Sequence, residues 1–427
     1  MRFQLLVFRI ILPLVFLSNC LQASQQPTDV NNLIKLEDYL SFAALNNAGL
    51  ESAFEQWKTA IEQVPQSKSL PDPKFTYGYF IKEVETRVGP QRQRLGLMQM
   101  FPWFGVIEAR TDAAAAESKA AYKRYEAAKL ELFYKVKDSF YEYAYLAQAV
   151  DIAKQNLELL KHFEEVARTR YTAATGSHPD IIRAQIELAI LEDKLKTLEE
   201  LRTPIVAGLN SILNRKNDLP LSWPEKPQFN LVKIDRSKVT AKMIADNPKL
   251  QALDFEVAAA KAKLELAKKK FYPDINIGVD WIQTDKALAA GVRDSGKDPV
   301  IAMLSLNLPI WTNSYKAAKL QAEAQMKSRS SKKVQSQNEL VAHLEKALYE
   351  YEDSARKVEL YKGILIPKAK EMLDASEVAY KAGTVDFLSL IDAQRKLLEF
   401  ELSLERAVTM NLQKLAQLEM LIGGDLT

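Results

Sequence analysis

Apolar residues recur at spacings of three and four along two long stretches of this chain. In the first stretch they are Val136, Phe140, Tyr143, Ala147, Val150, Ala153, Leu157, Leu160, Phe163 and Val166. In the second they are Val341, Leu344, Leu348, Tyr351, Ala355, Val358, Tyr361, Leu365, Ala369 and Met372. This spacing places one apolar stripe along a continuous α-helix. We therefore expect two long helices, the second one bent or loosened by a turn at Pro367.

The lengths of these helices predict an elongated body. A helix from about Val106 to Thr172 would span roughly 100 Å at about 1.5 Å per residue. The return helix, about Asp180 to Leu213, is only about half as long. A further helix such as Gly49 to Ser67 would have to stack end to end with it, which gives a rod of paired helices.

A period of two replaces the helical period in three shorter segments, which belong to four predicted strands. Apolar side chains alternate with small or polar ones at Phe75, Tyr77, Tyr79 and Ile81, at Ile275, Ile277, Val279 and Trp281, and at Leu304, Leu306 and Leu308. A soluble sheet with one wet face shows the same alternation. Strands of about 9 to 11 residues that are rich in aromatic side chains also fit the staves of a membrane barrel. Four strands cannot close such a barrel, so this interpretation requires the chain to oligomerise.

Three pairs of landmarks indicate that the chain repeats its own plan. They are Tyr171 to Gln185 with Tyr380 to Gln394 (185 − 171 = 394 − 380 = 14), Asn47 to Gly78 with Asn247 to Gly278 (247 − 47 = 200), and Met100-Phe-Pro-Trp-Phe104 with Asn307-Leu-Pro-Ile-Trp311. Matched landmarks in the same order predict an internal duplication. Each copy reads helix, strand, loop, strand, long helix, tight turn, helix.

The copies and the segments that flank them divide the chain into four parts. We assign residues 24–216 to the first repeat and residues 239–427 to the second. The segment 217–238 contains three prolines and no periodicity, and is the natural linker. Residues 1–23 have the features of a secretory signal peptide, because basic residues precede a short apolar run and a small-residue exit.

The only cysteine, Cys20, lies in the cleavage region of this signal. Leu17-Ser18-Asn19-Cys20 resembles a bacterial lipobox with an unusual Asn before the Cys. Two outcomes stay open: Cys20 is removed with the signal peptide, or it becomes a lipid-modified N-terminus. A disulfide within one chain is impossible with one cysteine.

Composition and motifs exclude several classes of function. The 58 Lys and Arg residues are nearly balanced by 55 Asp and Glu, so the chain lacks the concentrated positive charge of a nucleic-acid binder. No later stretch supplies about 18 consecutive apolar residues, which excludes a helical transporter. His162, His178 and His343 show no metal-ligand spacing, and phosphate-loop and nucleophile motifs are missing. We therefore expect no enzyme, cofactor or metal site.

The chain resembles the TolC-like outer-membrane efflux protein family over nearly its whole mature length. The resemblance rests on the duplicated plan, Phe101-Pro-Trp-Phe-Gly105, Ile366-Pro-Lys-Ala369, Tyr380-Lys-Ala-Gly383 and Leu390-Ile-Asp-Ala-Gln394. It implies a mainly α fold with a β-barrel portion. Long α-helical hairpins would form a periplasmic tunnel, and a homotrimer would combine four strands per chain into one 12-stranded transmembrane barrel in the lipid of a Gram-negative outer membrane.

The same resemblance implies a function and partners. The chain would be the outer-membrane channel subunit of a tripartite efflux system. It would passively conduct substrates from an inner-membrane pump of the RND type, through a periplasmic adaptor, to the exterior. Most of its mass would lie in the periplasm.

In such proteins the helix tips carry the functional sites, and two sets of residues correspond here. The adaptor-docking tips would be Ala173, Ala174 and Thr175 in the first copy and Ala382, Gly383 and Thr384 in the second. Asp180 and Asp392 would form an acidic constriction, with Arg183 and Asp386 as latch partners. Helix capping is the competing explanation for Asp180 and Asp386, because both lie in or near a first helical turn.

Other export functions remain open at this point. An exit duct for type I protein secretion or a dedicated metal exporter would use a similar pipe. Outside transport, a periplasmic coiled-coil scaffold would explain the long helices. It would not explain alternating aromatic strands placed symmetrically in two copies.

Overall fold

The structure is a computed structural model and describes residues 33–426. The predicted signal peptide 1–23 and Cys20 lie outside these residues. The helices are α1 (Leu36–Asn46), α2 (Ala48–Lys68), α3 (Val106–Thr172), α4 (His178–Ile212), α5 (Arg236–Asp246), α6 (Pro248–Lys269), α7 (Thr312–Leu360), α8 (Ile366–Ala382) and α9 (Phe387–Ile422). The strands are β1 (Lys74–Thr86), β2 (Gly89–Phe101), β3 (Asp274–Thr284) and β4 (Val300–Asn307).

Helix α3 confirms the long helix predicted from the apolar stripe. It contains 67 residues without a glycine or a proline, so no residue inside it interrupts the hydrogen-bond ladder. Its length is roughly 100 Å at about 1.5 Å per residue. Most of the predicted stripe from Val136 to Val166 is buried against neighbouring helices, whereas Ala147 and Val166 are partly buried.

The predicted end-to-end stacking is also present, and an asparagine makes each junction. Asn47 donates a hydrogen bond from Nδ2 to the carbonyl of Ile212 at the end of α4, 2.8 Å away, while its Oδ1 caps the first turn of α2. Asn247 does the same between the carbonyl of Leu421 in α9 and the first turn of α6, at 2.7 Å. Both long helices are therefore covered by two shorter helices in series.

The two repeats have matching cores. Buried residues of one core correspond to buried residues of the other at constant offsets: 200 for Tyr39/Val239, Ala43/Met243 and Leu50/Leu250; 208 for Leu132/Leu340, Val136/Leu344, Phe140/Leu348 and Tyr143/Tyr351; 209 for Leu209/Leu418 and Leu213/Ile422. Constant offsets within each helix mean that the same helical faces are buried in both copies. The duplication is thus a property of the packing as well as of the sequence.

The second long helix contains one more residue than the first between equivalent positions. The offset is 208 at Tyr143/Tyr351 and 209 at Tyr171/Tyr380 (380 − 171), and between these positions lies a π-helical segment, Tyr361–Leu365. A π turn accommodates one extra residue inside an α-helix. Pro367 follows directly and supplies no N–H to the ladder. The disturbance predicted at this proline is confirmed.

The predicted linker is partly helical. Residues 219–235 form no helix or strand, but Arg236–Lys238 already belong to α5, so the helix begins inside the segment that the sequence assigned to the linker. Asp235 caps α5 by accepting from the amides of Ser237 and Lys238, a signal that periodicity alone does not register. The boundaries 24–216 and 239–427 stay a prediction.

The four strands form one antiparallel sheet in the order β1-β2-β3-β4. Its strands contain 13, 13, 11 and 8 residues, a wider range than expected, and Leu308 lies just beyond β4. One side, which we call the apolar face, exposes large apolar residues in register across the strands: Phe75, Tyr77, Tyr79, Leu97, Ile277, Val279, Leu304 and Leu306. The other side, the polar face, carries Arg94, Gly96, Gly278 and Asp280. The predicted alternation is confirmed.

The helices extend from the sheet as one layer. Next to the sheet the order is α2, α3, α6, α7, and toward the far end it is α4, α3, α9, α8. The edges of the layer are thus α2 and α4 on one side and α7 and α8 on the other. Among residues 33–426 no helix is both long and apolar enough to cross a membrane.

Candidate functional site

Two tight turns form the end of the helical layer farthest from the sheet. In the first, Ala174 has a φ of +57°, and in the second Gly383 has a φ of +79°. The amides of Thr175 and Thr384 both donate to the carbonyl five residues earlier, at 2.9 Å. The turns are therefore equivalent, although only the second has the glycine that this conformation favours. The six residues assigned to docking, Ala173, Ala174, Thr175, Ala382, Gly383 and Thr384, are all exposed.

Asp180 is largely buried by contact with the second hairpin. Its Oδ2 accepts a hydrogen bond of 3.2 Å from the hydroxyl of Tyr380, and its side chain is 14% exposed. Burial, with the Asp180 charge as a further cause, raises the pKa of Tyr380 to about 12. Arg183 lies on the same helix, with Nη1 3.8 Å from Asp180 Oδ1. The carboxylate therefore links α4 to the end of α8 within one chain.

Asp386 caps helix α9. Its Oδ1 accepts from the amide of Ser389 at 2.9 Å and from the hydroxyl of Ser389 at 2.6 Å. The hydrogen bonds from Ser389 hold the pKa of this carboxyl below its usual range, and the nearby charge of Arg183 contributes in the same direction. The geometry is that of an N-cap. Arg183 thus acts electrostatically on both Asp180 and Asp386.

Asp392 has a different environment from the other two carboxylates. It is exposed on α9, one turn from Arg395 and Lys396. Within residues 33–426 its carboxylate accepts no hydrogen bond and forms no ion pair, so none joins it to Asp180. Its charge attracts Arg395 and Lys396, and its exposed side chain can also reach groups outside this chain.

Several residues of the tip were not anticipated from the sequence. The guanidinium of Arg170 lies over the Tyr380 ring, 4.5 Å from its centroid, and donates to the carbonyl of Thr175 at 2.8 Å. Arg395 in α9 pairs with Glu187 in α4 through two hydrogen bonds, one of them 2.9 Å long. Arg170 and Tyr380 lie on different hairpins about 200 residues apart, as do Arg395 and Glu187. Helical spacing therefore gives no signal for these two contacts.

The two tips bury equivalent ring pairs to different degrees. Tyr380 and Phe387 pack edge to face at 5.3 Å, and their counterparts Tyr171 and His178 lie 5.4 Å apart. Tyr380 is 2% exposed, whereas Tyr171 is 47% exposed. The tip of the second copy is therefore built into the core, and the tip of the first presents its rings to solvent.

The chemistry of this end is that of a surface and not of a reaction centre. In the part of the chain that the structure describes, no three His, Cys, Asp or Glu side chains are grouped to hold a metal ion. Pairs of charges and exposed turns dominate instead. Such an arrangement can bind another protein or line an opening.

Comparisons with known proteins agree on one family. The family described as outer membrane efflux protein matches residues 43–215 and 239–424. The cobalt-zinc-cadmium resistance protein CzcC of Cupriavidus metallidurans is 21% identical over 391 residues, which cover 87% of this chain and 86% of CzcC. The solved outer membrane protein VceC of Vibrio cholerae has a TM-score of 0.75 at 17% identity, covering 92% of this chain and 97% of VceC.

One further relative matches only in part. Toxin and drug export protein A of Aggregatibacter actinomycetemcomitans is 24% identical over 188 residues, which are 44% of this chain. The chain spans only 41% of that relative's length.

Proposed function

Because the chain belongs to the outer membrane efflux protein family, whose members are channel proteins of the outer membrane and not enzymes, we propose that three copies of it form an export duct. The duct conducts substrates passively from an inner-membrane pump and a periplasmic adaptor to the exterior. The sheet crosses the outer membrane and the helical layer forms the wall of a periplasmic tunnel. Residues 24–216 and 239–427 are the two repeats, each of which supplies two strands to the sheet and helices to this wall.

The observation that carries the proposal is an incomplete sheet with an exposed apolar face. Its end strands β1 and β4 each have one unpaired edge, which in lipid would leave backbone groups unsatisfied. Four strands are too few for a membrane barrel. Three copies joined edge to edge give twelve strands, with the apolar face toward lipid and the polar face toward the lumen.

The edges of the helical layer support the same ring. On the outer side of α4, Ile182, Ile186 and Ile190 are exposed at intervals of four residues. On the opposite edge Ile364, Met372 and Val378 are exposed. Two different apolar edges on one molecule suit a head-to-tail contact, which closes into a ring when the rotation from one copy to the next completes a circle. The α4 edge of one copy would cover the α8 edge of the next.

The tips supply the remaining elements of the proposal. The exposed turns around Ala174 and Gly383 are the adaptor-docking surface. Asp180 and Asp392 form the acidic constriction, and Arg183 and Asp386 are its latch. The exposed carboxylate of Asp392 and the position of Arg183 near both Asp180 and Asp386 support these roles. The cap made by Asp386 supports helix stabilisation at that residue as well.

The names of the relatives indicate the type of cargo only broadly. They mention a toxin and drugs, cobalt, zinc and cadmium, and pyoverdine. We propose export of small molecules or ions through a tripartite system, in which an RND-type pump supplies the energy.

Membrane fractionation and planar-bilayer recording test this function together. The mature chain should sediment with the outer membrane, run as a trimer after detergent extraction, and form ion-conducting pores. A mature chain that stays soluble in the periplasm without detergent would favour the coiled-coil scaffold. A monomer that forms no pores would also contradict the duct.

A further inference from the structure

A buried ion pair lies on the polar face of the sheet. Asp280 of β3 forms an ion pair with Arg94 of β2, which lies diagonally across from it, two residues before its register partner Gly96. The Asp280 side chain is 3% exposed, whereas that of Arg94 is 45% exposed. The guanidinium therefore covers the carboxylate, and the positive end of the pair points away from the sheet.

Glycines make the space in which this pair lies. Gly96 is the register partner of Asp280, and a Cβ at position 96 would collide with its carboxylate. Gly78 is the register partner of Arg94 and leaves open space beside its side chain. Gly278 completes a group of three glycines on the polar face. Glycine weakens strands and often marks a close approach, and at Gly96 the group that approaches is the carboxylate of Asp280.

The face of the sheet on which the pair lies decides whether it meets lipid or the pore in the trimer. The opposite side of the same strands exposes Leu97, Ile277 and Val279. If that side meets lipid, the polar face lines the pore, and three copies place three guanidinium groups around its wall. Charged rings at such positions set the selectivity of a channel.

We propose that Arg94 and Asp280 form a charge-selective ring in the barrel of the duct, in which Arg94 attracts anionic solutes and Asp280 limits that attraction. The proposal rests on the trimeric duct and assigns it a second selective region, distant from the acidic tips. Removal of the Asp280 charge leaves three unpaired guanidinium groups facing the pore. Removal of the Arg94 charge leaves three carboxylates that repel anions.

Other charges near the pair form a separate group. Arg92 pairs with Glu83 of β1 and with Asp285, which follows β3, and all three side chains are about equally exposed. These groups lie closer to the β1–β2 turn and are unchanged in the variants below. They contribute a constant background to any measurement at Arg94.

Planar-bilayer recording with inorganic tripolyphosphate, added on the barrel side, tests the ring. Asp280→Asn should lower the half-blocking concentration by about tenfold, the factor that corresponds to about 1.4 kcal/mol. Arg94→Gln should abolish the block, and Arg94→Gln combined with Asp280→Asn should resemble Arg94→Gln. Arg87→Gln removes a positive charge from the exposed β1–β2 turn and is the matched control, with little effect expected.

The outcomes separate this proposal from the duct itself. A conducting Asp280→Asn trimer with wild-type block overturns the ring and leaves the duct intact. If Arg87→Gln loses the tripolyphosphate block as Arg94→Gln does, the ring is also overturned, because the effect would then be one of net charge. Wild-type protein that forms no pores would instead contradict the proposed function.

A second measurement applies if Asp280→Asn fails to assemble. Arg94→Cys in membrane-embedded trimers should react with the cationic thiol reagent trimethylammonioethyl methanethiosulfonate, which the Asp280 carboxylates do not repel, while Ile277→Cys on the apolar face should not. Wild-type protein gives the background labelling. Failure to label Arg94→Cys under conditions that label Arg87→Cys would overturn the placement of residue 94 in the pore.

Discussion

The hydroxyl of Tyr380 donates a 3.2 Å hydrogen bond to the carboxylate of Asp180, and this bond joins the two hairpins at the tip. The bond connects the predicted docking turn of the second copy to a residue of the predicted constriction in the first. Arg170 lies on the ring of the same tyrosine. The buried side chain of Tyr380 therefore contacts residues of both hairpins.

Alkaline pH should loosen this tip. The pKa of Tyr380 is raised from 10.0 to about 12, mainly by burial and then by the charge of Asp180. A folded-state pKa above the unfolded value gives stability that is complete below pH 10 and is lost as the pH rises toward 12. In thermal unfolding followed by circular dichroism, wild-type protein should lose more stability over this range than Tyr380→Phe.

Tyr171→Phe is the control for this comparison, because Tyr171 is the exposed counterpart of Tyr380. It should follow the wild-type pH dependence. Other buried tyrosines, such as Tyr39 and Tyr141, also have raised pKa values, so only the difference between variants is informative. An unchanged profile in Tyr380→Phe would show that its ionisation is not coupled to folding.

Replacing Ala174 by glycine and Gly383 by alanine should change the stability of the tip in opposite directions. Ala174 has a positive φ, which costs a residue with a Cβ about 1 to 2 kcal/mol. Ala174→Gly relieves this cost and should stabilise the tip by up to about 1 kcal/mol, since glycine also loses more entropy on folding. Gly383→Ala should destabilise the tip by about 1 kcal/mol. Chemical denaturation of detergent-extracted protein measures both, and effects of the same sign would contradict the turn assignment.

The two faces of the sheet should tolerate charge differently. Ile277 lies on the apolar face and Asn276 on the polar face of β3. A charge turned toward lipid near the bilayer middle costs roughly 2 to 4 kcal/mol, whereas the lumen is wet. Ile277→Arg should therefore impair trimer assembly far more than Asn276→Arg, as measured by the yield of heat-modifiable trimer. Equal yields would mean that the faces are reversed or that the strands lie outside the membrane.

Removing the acidic groups of the tip should open and neutralise the entrance. Three copies of Asp392 on the tunnel axis would repel each other and favour cations over anions. Asp392→Ala combined with Asp180→Ala should raise conductance, weaken cation selectivity and reduce block by multivalent cations added on the tip side. Planar-bilayer recording measures all three properties.

Asp386→Ala distinguishes this gate from helix capping. Loss of the cap should lower stability by about 1 kcal/mol, with little change in selectivity. If the variant lacking both Asp392 and Asp180 behaves in the same way and keeps wild-type selectivity, then these carboxylates stabilise helices and do not form the constriction.

Local pattern was sufficient for much of this architecture. The 3.6-residue period gave helix α3, the missing N–H of Pro367 gave the disturbance before α8, and the two-residue period gave the faces of β3. Each of these depends on a residue and its own element, because the chain geometry fixes which side chains share a face. The duplication followed equally well, since copies with the same apolar pattern bury the same helical faces.

Packing between distant segments decided the rest. Tyr171 and Tyr380 occupy the same place in the repeat, yet only Tyr380 is buried, because the second tip lies against Arg170 and Asp180. Arg94 and Asp280 stand 186 residues apart and pair only because β2 lies beside β3. Periodicity tells which face of an element is apolar, but not which element covers it. The partners of the charged groups, and hence the candidate sites, were therefore decided by the tertiary structure.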